Sequence, residues 1–258
     1  MTSEGMICRE AMDVADPQFA AAERLYKQTQ HPDEAIPWGW IARSVKGRSS
    51  WRPGTWGKHL VLASPADREH SDDLAGFAYG AHLPGYGGYI CYVGVDERFR
   101  RQGVGKMLFE KMFSLLEADA RASDEPLPFV IWESHRPETS APEADWKLWE
   151  ARVRLFDSVG GYWLEGIELP TPNFANPGGS PVPLQLFLRP MDLPADQLQG
   201  SRLTTVAAGL LEGVYKVCPG DPQFDQAIDG KHPPRLRPAR DAGKRKEPER
   251  KRQPVAMS

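Results

Sequence analysis

The stretch YICYVGVDERFRRQGVGKMLFEKMF, residues 89–113, decides the fold predicted for this chain. It begins with an aromatic and β-branched run, which favours a β-strand that stops at Asp96. From Val104 onward, apolar residues recur with the period of an amphipathic helix. Gly103 and Gly105 lie at the junction. The sequence therefore predicts a strand that passes through a short basic turn directly into a helix.

A unit of this kind creates a site for an anion. The first N–H groups of a helix have no partners within the helix, and they lie at the positive end of its dipole. The glycines at positions 103 and 105 leave room for a phosphate close to the backbone. Arg100, Arg101 and Lys106 add positive charge that suits a pyrophosphate or a ribose phosphate. We therefore predict a phosphate cradle in this turn.

The spacing separates this cradle from two common ones. A Walker loop requires Ser or Thr where Met107 stands, and a dinucleotide fingerprint requires a third glycine where Leu108 stands. The residues instead resemble the Arg/Gln-x-x-Gly-x-Gly/Ala acyl-CoA motif of the GNAT superfamily of N-acetyltransferases, with Arg100, Gly103 and Gly105 at its defining positions. The resemblance covers roughly residues 6–190, and its motif is specific only around residues 89–113.

The resemblance implies a fold of the α/β (α+β) class, with a central mixed, mostly antiparallel twisted sheet flanked by helices. The order of elements that hydrophobic patterning predicts agrees with it. Strands are predicted over residues 6–12, 59–64, 74–82, 89–95, 128–133, 162–169 and 184–188. Helices are predicted from Asp16-Pro17 onward, over 38–45, from Val104 onward, and over 143–159, 202–217 and 221–228.

Three regions are predicted along the chain. Residues 1–192 form the acetyltransferase domain, 193–231 a helical extension, and 232–258 a disordered basic tail. The tail holds nine basic and three acidic residues, so it carries +6 of a net charge of −3 and leaves −9 on the remainder. Its KRKEPERKR run is interpreted as a solvated tail in preference to a nucleic-acid patch, so nucleic acid is not expected as a partner.

Composition bounds the location and the cofactors. The chain has neither an apolar run long enough to cross a bilayer nor a signal-peptide pattern at its start, so we expect a cytoplasmic protein without a membrane partner. Cys8, Cys91 and Cys218 lack metal-ligand spacing. Neither a metal site nor a disulfide framework is therefore expected.

The resemblance implies acetyl-CoA as the acyl donor and assigns its contacts. The diphosphate would bind the turn, the pantetheine arm would pair with the preceding strand, and the N–H of Val95 would polarise the thioester carbonyl. The expected cofactor-binding residues are Val93, Gly94, Val95, Arg100, Arg101, Gln102, Gly103, Val104, Gly105 and Lys106.

An amine acceptor also needs a base, because an alkylamine with a pKa of about 10.4 is mostly protonated at neutral pH. We expect Glu133, at the end of the neighbouring strand, to be that base, with His135 as the alternative. The family usually has a tyrosine as the acid for the leaving thiolate, but Phe156 stands at that position. Tyr162 or Tyr92 would then replace it, or the thiolate leaves unaided, or the protein binds acyl-CoA without turnover.

The acceptor pocket is expected beside the segment between the first two helices. Asp33, Glu34, Trp38 and His135 are the expected substrate-binding residues. Aromatic residues near the expected pocket suit an apolar or aromatic amine, whereas the acidic body suits a polyamine, and both stay open; these residues are Trp38, Trp40, Tyr86, Trp163 and Phe174.

The function expected from this resemblance is acetyl transfer from acetyl-CoA to a primary amine by direct attack in a ternary complex. The acceptor would be a small molecule or a peptide. Two alternatives are kept: a non-catalytic acyl-CoA sensor or scaffold, and a protein lysine or N-terminal acetyltransferase. The exposed sheet edges and C-terminal helix of such folds would also suit a homodimer.

Overall fold

An eight-stranded sheet forms the centre of the computed structural model, in the order β1-β2-β3-β4-β5-β7-β6-β8. The structure describes residues 5–68, 72–176, 178–228 and 233–243. The strands are β1 Met6–Glu10, β2 Gly57–Pro65, β3 Gly76–Leu83, β4 Gly87–Val95, β5 Phe129–His135, β6 Tyr162–Thr171, β7 Val182–Pro190 and β8 Arg235–Pro238. The helices are α1 Pro17–Thr29, α2 Trp38–Gly47, α3 Val104–Ala122, α4 Glu143–Ser158, α5 Ser201–Leu210 and α6 Pro222–Ala227.

The sheet opens between its only recorded parallel pair among the described residues, β4 and β5. These strands are in register from Gly88↔Val130 to Ile90↔Trp132, and beyond that point neither pairs with the other. A β-bulge lies in β4 at the same level. Tyr79 and Gly80 of β3 pair with Tyr92 and Ile90 of β4, so Cys91 between them has no partner on β3. A bulge bends its strand and increases the local twist. The two strands therefore separate into an open wedge.

Helices cover the two faces of the sheet differently. On one face, α3 and α4 pack together over the strands with Leu108, Met112 and Trp149 fully buried. On the other face, α1 and α2 cover the N-terminal strands and α5 covers the C-terminal strands, so two separate apolar clusters form side by side. The predicted mixed, mostly antiparallel sheet flanked by helices is thus confirmed.

The predicted helix ends are found where the sequence signals lie. The side chain of Asp16 caps α1 by accepting a hydrogen bond from the N–H of Gln18, at 2.9 Å. Gly103 precedes α3 at φ +83°, and Gly160 follows α4 at φ +75°, both in the left-handed region. The predicted helix 202–217 is α5 followed by a π-helical turn, Leu211–Tyr215, after which Lys216 turns the chain at φ +59°.

The predicted disorder of residues 232–258 is wrong for part of that range. β8 pairs antiparallel with β6, and the following 3-10 turn, Ala239–Gly243, packs beneath α4 with Ala239 and Ala242 fully buried. The Trp149 indole N–H donates to the carbonyl of Ala242 at 3.0 Å. Composition did not indicate this segment, because a short strand that pairs with the edge of an existing sheet needs few apolar residues of its own. The KRKEPERKR run lies outside the described residues.

A buried ionic cluster fixes the beginning of β2. His59, which is 1% exposed, contacts Glu10 through Nδ1 and Asp119 through Nε2, both at 2.8 Å. Arg48 donates to the same two carboxylates at 3.0 and 2.9 Å. Burial alone would lower the pKa of His59, but its hydrogen bonds to Asp119 and Glu10 outweigh this effect and raise the pKa. The cluster joins β1, β2, α3 and the turn that follows α2.

Candidate active-site cleft

An open cleft of about 2360 Å³ lies at the wedge between β4 and β5. We call residues 93–95 and the turn 96–106 the cofactor half. The acceptor half, on the sheet face that α1, α2 and α5 cover, is lined by Glu34, Trp40, Trp56, Lys58, Glu133, Tyr215 and Lys216. Five separate parts of the chain therefore meet in one cleft.

In the cofactor half, every second residue of β4 turns its backbone N–H and C=O groups towards the wedge. The N–H of Asp96 donates to Ala75 on the β3 side. Because successive residues of a strand point to opposite sides, Val93 and Val95 direct their peptide groups to the β5 side, where no strand pairs with them. Their carbonyls accept from Gln30 Nε2 and Arg100 Nε, each at 3.4 Å.

Two side chains hold the turn rather than face the cleft. The Asp96 carboxylate accepts from the backbone N–H of Arg98 at 2.9 Å, and Gln102 Nε2 donates to the Arg98 carbonyl at 2.9 Å. Gln102, one of the expected cofactor contacts, is not among the residues that line the cleft. Its side chain is used to shape the turn. The other expected cofactor residues all line the cleft: Val93, Gly94, Val95, Arg100, Arg101, Gly103, Val104, Gly105 and Lys106.

The three glycines of the cofactor half have different requirements. Gly103 needs its positive φ. At Gly105 a Cβ would lie 2.8 Å from Leu155 Cδ2, the flexible end of an α4 side chain. At Gly94 a Cβ would lie 2.4 Å from the Phe77 ring and 2.5 Å from Thr29 Oγ1. Gly94 therefore serves the packing of α1 on the sheet.

Glu133 lies at the centre of the acceptor half. Tyr89 Oη donates to Glu133 Oε1 at 2.6 Å, and Tyr215 Oη donates to the same oxygen. The two hydroxyl oxygens are 3.1 Å apart. The other carboxyl oxygen, Oε2, is buried and has no hydrogen-bond partner among the described residues. One oxygen is thus held by two phenols while the second is unpaired.

The environment raises the pKa of Glu133 to about 7. Burial is the main cause, the hydrogen bonds from Tyr215 and Tyr89 oppose it, and the nearby Glu34 carboxylate adds to it. Burial also raises the pKa of Glu34, against the attraction of His135 and Arg152. A carboxyl with a pKa near 7 exchanges protons readily at neutral pH.

The two tyrosines expected as alternatives for the acid lie in different places, and only Tyr92 lines the cleft. Tyr92 Oη donates to the Glu34 carbonyl at 2.8 Å and accepts from the Ile36 N–H at 3.0 Å, so it anchors the loop before α2. Tyr162 does not line the cleft. It begins β6, which is separated from β4 by β5 and β7, a distance of about 14 Å at ordinary strand spacing.

Sequence reasoning missed Tyr215 and Arg152. Tyr215 belongs to the extension, and its π-helical turn brings it to Glu133. No local signal marks it, since only the docking of α5 on the sheet places it there. Arg152 on α4 is exposed and lines the cleft, within electrostatic reach of Glu34. Phe156, one helical turn further, packs against Phe187 with ring centroids 4.8 Å apart.

The expected acceptor residues divide into two groups. Glu34 and His135 line the cleft, whereas Asp33 does not. Trp38 is 9% exposed and packs between Phe19 and Tyr26 in the core. Of the other aromatic residues expected near the pocket, Trp40 and Phe174 line it, while Tyr86 and Trp163 do not.

Two classes of feature are absent from the part of the chain that the structure describes. None of its helices has the length and apolar character needed to cross a bilayer. Within the same residues, no group of three or more His, Cys, Asp and Glu side chains is arranged to bind a metal ion.

Comparisons with known proteins agree with this geometry. Residues 18–123 match the model of the acetyltransferase (GNAT) family. A solved GNAT-family acetyltransferase from Bacteroides thetaiotaomicron superposes with a TM-score of 0.54 at 18% identity, covering 82% of this chain and 99% of that protein. No curated protein sequence matches significantly.

Two further solved structures are similar at lower TM-scores. One, from Salmonella typhimurium, was solved with its cofactor acetyl-CoA and has a TM-score of 0.47 at 16% identity, covering 74% of this chain and 96% of that one. The ribosomal-protein-S18-alanine N-acetyltransferase of Escherichia coli has a TM-score of 0.42 at 16% identity, covering 75% and 98%. Residues 18–123 are thus similar to the GNAT acetyltransferase family, and the fold is similar to that of a solved GNAT-family structure.

Proposed function

We propose that the protein transfers an acetyl group from acetyl-CoA to a primary amine by direct attack, with Glu133 as the base. The observation that carries the proposal is the buried Glu133 carboxyl beside the wedge, with a pKa of about 7 and one unpaired oxygen. A group with these properties is matched to accepting an amine proton at neutral pH. The acceptor class includes small molecules and peptide amines.

The cofactor half fits the parts of acetyl-CoA. The first N–H groups of α3 and the guanidinium groups of Arg100 and Arg101 suit the diphosphate. The peptide groups of Val93 and Val95 suit the amides of the pantetheine arm, which would add to the strand as a peptide does. Binding would displace Gln30 and Arg100 from the two strand carbonyls.

The proton path needs only residues already at the site. When bound, acetyl-CoA supplies an acetyl thioester, from which the amine takes the acetyl group as the carbon–sulfur bond breaks. Glu133 receives the amine proton at its unpaired Oε2, while Tyr89 and Tyr215 hold Oε1. Burial raises the pKa of both phenols well above the ordinary value, so they donate hydrogen bonds without releasing protons.

The same carboxyl can also supply the acid. Protonated Glu133, with a pKa of about 7, is a stronger acid than a thiol, whose pKa is about 8.5. Transfer of the proton from Glu133 to the leaving thiolate is therefore downhill. A separate tyrosine acid is not needed, which agrees with Phe156 at the position where the resemblance would place one.

Direct attack is favoured over an acyl-enzyme route. Cys91 is the thiol that lines the wedge, and burial, reinforced by the Glu133 charge, raises its pKa to about 12. A thiol of that pKa stays protonated at neutral pH and is a poor nucleophile. We therefore assign no covalent step to Cys91.

Two measurements on the full-length protein test the proposal. Titration calorimetry with acetyl-CoA should show saturable binding, and thiol release should rise when a panel of primary amines is added. Glu133→Gln should keep the binding and lose the amine-dependent thiol release. Binding without thiol release for any amine would favour the alternative of an acyl-CoA sensor or scaffold, and absence of binding would overturn both.

A further inference from the structure

The acceptor half contains a basic corner made from distant parts of the chain. Lys58 Nζ lies 5.4 Å and Lys216 Nζ 6.0 Å from the ring centroid of Trp56. All three residues line the cleft. Lys58 is the second residue of β2, whereas Lys216 directly follows the π-helical turn that ends at Tyr215. Two ammonium groups thus lie near the same indole ring inside the cleft.

Neither of these lysines forms an ion pair with a carboxylate among the described residues, unlike Lys27 and Lys106, which contact Glu23 and Glu110 at 2.7 and 3.7 Å. Like charges brought together repel each other, and a tryptophan face offsets only part of that cost. An anion between them would offset much more. The corner therefore has the electrostatics of an anion subsite.

The two ammonium groups are positioned on rigid elements. The register Lys58↔Ala81↔Tyr89 puts Lys58 on the same sheet face as Tyr89. His59, the next residue, points to the opposite face and is fixed in the buried ionic cluster. Lys216 follows Tyr215, whose hydroxyl is held by Glu133. The basic corner and the proposed base are therefore fixed relative to each other.

We propose that the acceptor carries an anionic group, a carboxylate or a phosphate, which binds Lys58 and Lys216 while its amine faces Glu133. The inference rests on the proposed function, since Glu133 defines where the amine lies. It disfavours the polyamine that the sequence left open, because a polyamine would place positive charge against both lysines.

The distance between the two ends favours a long acceptor. β2 and β5 are separated by three strand spacings, about 14 Å, and the Lys58 and Glu133 side chains each cover part of that span. The anion must then be several bonds from the amine. Trp40 and Trp56 line the same cleft, are 48% and 42% exposed, and offer apolar surface to a methylene chain. An ω-amino acid fits this description better than an α-amino acid.

The test compares matched amines in thiol-release assays. The carboxylates are glycine, 4-aminobutanoate, 6-aminohexanoate and 8-aminooctanoate, the phosphate is 3-aminopropyl phosphate, and the neutral reference is hexylamine. We expect kcat/KM for the longer ω-amino carboxylates to exceed that for hexylamine by about tenfold or more, and glycine to be a poor acceptor. The phosphate arm shows which anion the lysines prefer.

Variants connect the preference to the two lysines. In Lys58→Gln/Lys216→Gln the ratio of kcat/KM for 6-aminohexanoate over hexylamine should fall towards one, and in Lys58→Glu it should invert. Lys46→Gln, at an exposed position outside the cleft, should keep the wild-type ratio. Calorimetry of 6-aminohexanoate in the presence of CoA provides a second readout that does not depend on turnover.

The outcomes separate the two proposals. If amines are acetylated but the ratio is one in the wild type, or is unchanged in the double variant, the anion subsite is wrong and the proposed function stands. If no amine is acetylated, the proposed function fails. The subsite is then supported only if 6-aminohexanoate binds and the double variant loses that binding, and it is overturned otherwise.

Discussion

The two halves of the cleft are built in opposite ways. The cofactor half comes from one continuous stretch, residues 93–106, in which strand, turn and helix follow one another. The acceptor half is assembled from the loop before α2, the beginning of β2, the end of β5 and the C-terminal extension. A contiguous site is specified by its own backbone conformation, whereas an assembled site depends on packing between distant elements. Changes in the two halves should therefore have different consequences.

The largest effect is expected for Glu133→Gln in the assembled half. Loss of the base should lower kcat by about 10²–10⁴ at neutral pH, while the affinity for acetyl-CoA changes little. In the wild type, kcat should rise with pH through an apparent pKa near 7 as Glu133 loses its proton, and the variant should lack this rise. Full activity of the variant at pH 7 would remove Glu133 from the mechanism.

Glu133→Gln also has a thermodynamic readout. The pKa of Glu133 rises from 4.5 to about 7 on folding, so the folded state holds this proton to higher pH than the unfolded state. The free energy of unfolding should therefore decrease as pH rises through that window. The free energy of unfolding of the Glu133→Gln variant should decrease less over the same range. Its melting temperature relative to that of the wild type should therefore increase from pH 4.5 to pH 8.

The contiguous half is tested by Gly103→Val. A β-branched residue cannot adopt φ +83° without strain, so the first turn of α3 should change shape and the Kd for CoA should rise by about 100-fold. Gly105→Ala is the matched control, because its Cβ meets only the flexible end of Leu155 and the Kd should change by about twofold to fivefold. Calorimetry measures both, with circular dichroism to confirm folding. Equal effects at both positions would contradict the role given to the positive φ.

Tyr215→Phe tests whether the extension belongs to the site. Its hydroxyl lowers the pKa of Glu133, so its loss should raise that pKa, move the rising limb of the pH profile to higher pH, and reduce kcat by about tenfold at pH 7. Tyr89→Phe should shift the profile in the same direction. A Tyr215→Phe profile identical to the wild type would confine the function of the extension to stability.

The smallest effects on catalysis are expected at the two tyrosines that sequence analysis favoured. Tyr162→Phe should change kcat by less than about twofold, since Tyr162 does not line the cleft. Tyr92→Phe removes hydrogen bonds to Glu34 and Ile36 and should lower the free energy of unfolding by about 1–3 kcal/mol. Thermal unfolding and steady-state assays measure both. A large loss of kcat in Tyr162→Phe would contradict this placement.

The same contrast explains what could be predicted from the sequence. The strand, turn and helix around Gly103 and Gly105 were predicted because period, glycine position and charge are all local signals. The element order follows from the same signals, and the resemblance placed Glu133 at the end of a strand next to the wedge. Tyr215, Arg152 and β8 were missed because each is defined by a partner far along the chain. The sequence also does not reveal that β7 inserts between β5 and β6, which sets Tyr162 apart from β4.

β8 has a consequence for self-association. Identical chains often dimerise by joining sheets at an unpaired rim, and β6 would be such a rim if the chain ended earlier. The four residues of β8 occupy it, with Arg235 and Arg237 exposed and Pro238 unable to donate a backbone hydrogen bond. A dimer that extends the sheet must then form through β1 at the opposite rim, or use helices instead. Truncating the chain before β8 would expose β6 as a longer, unpaired edge strand and should favour aggregation.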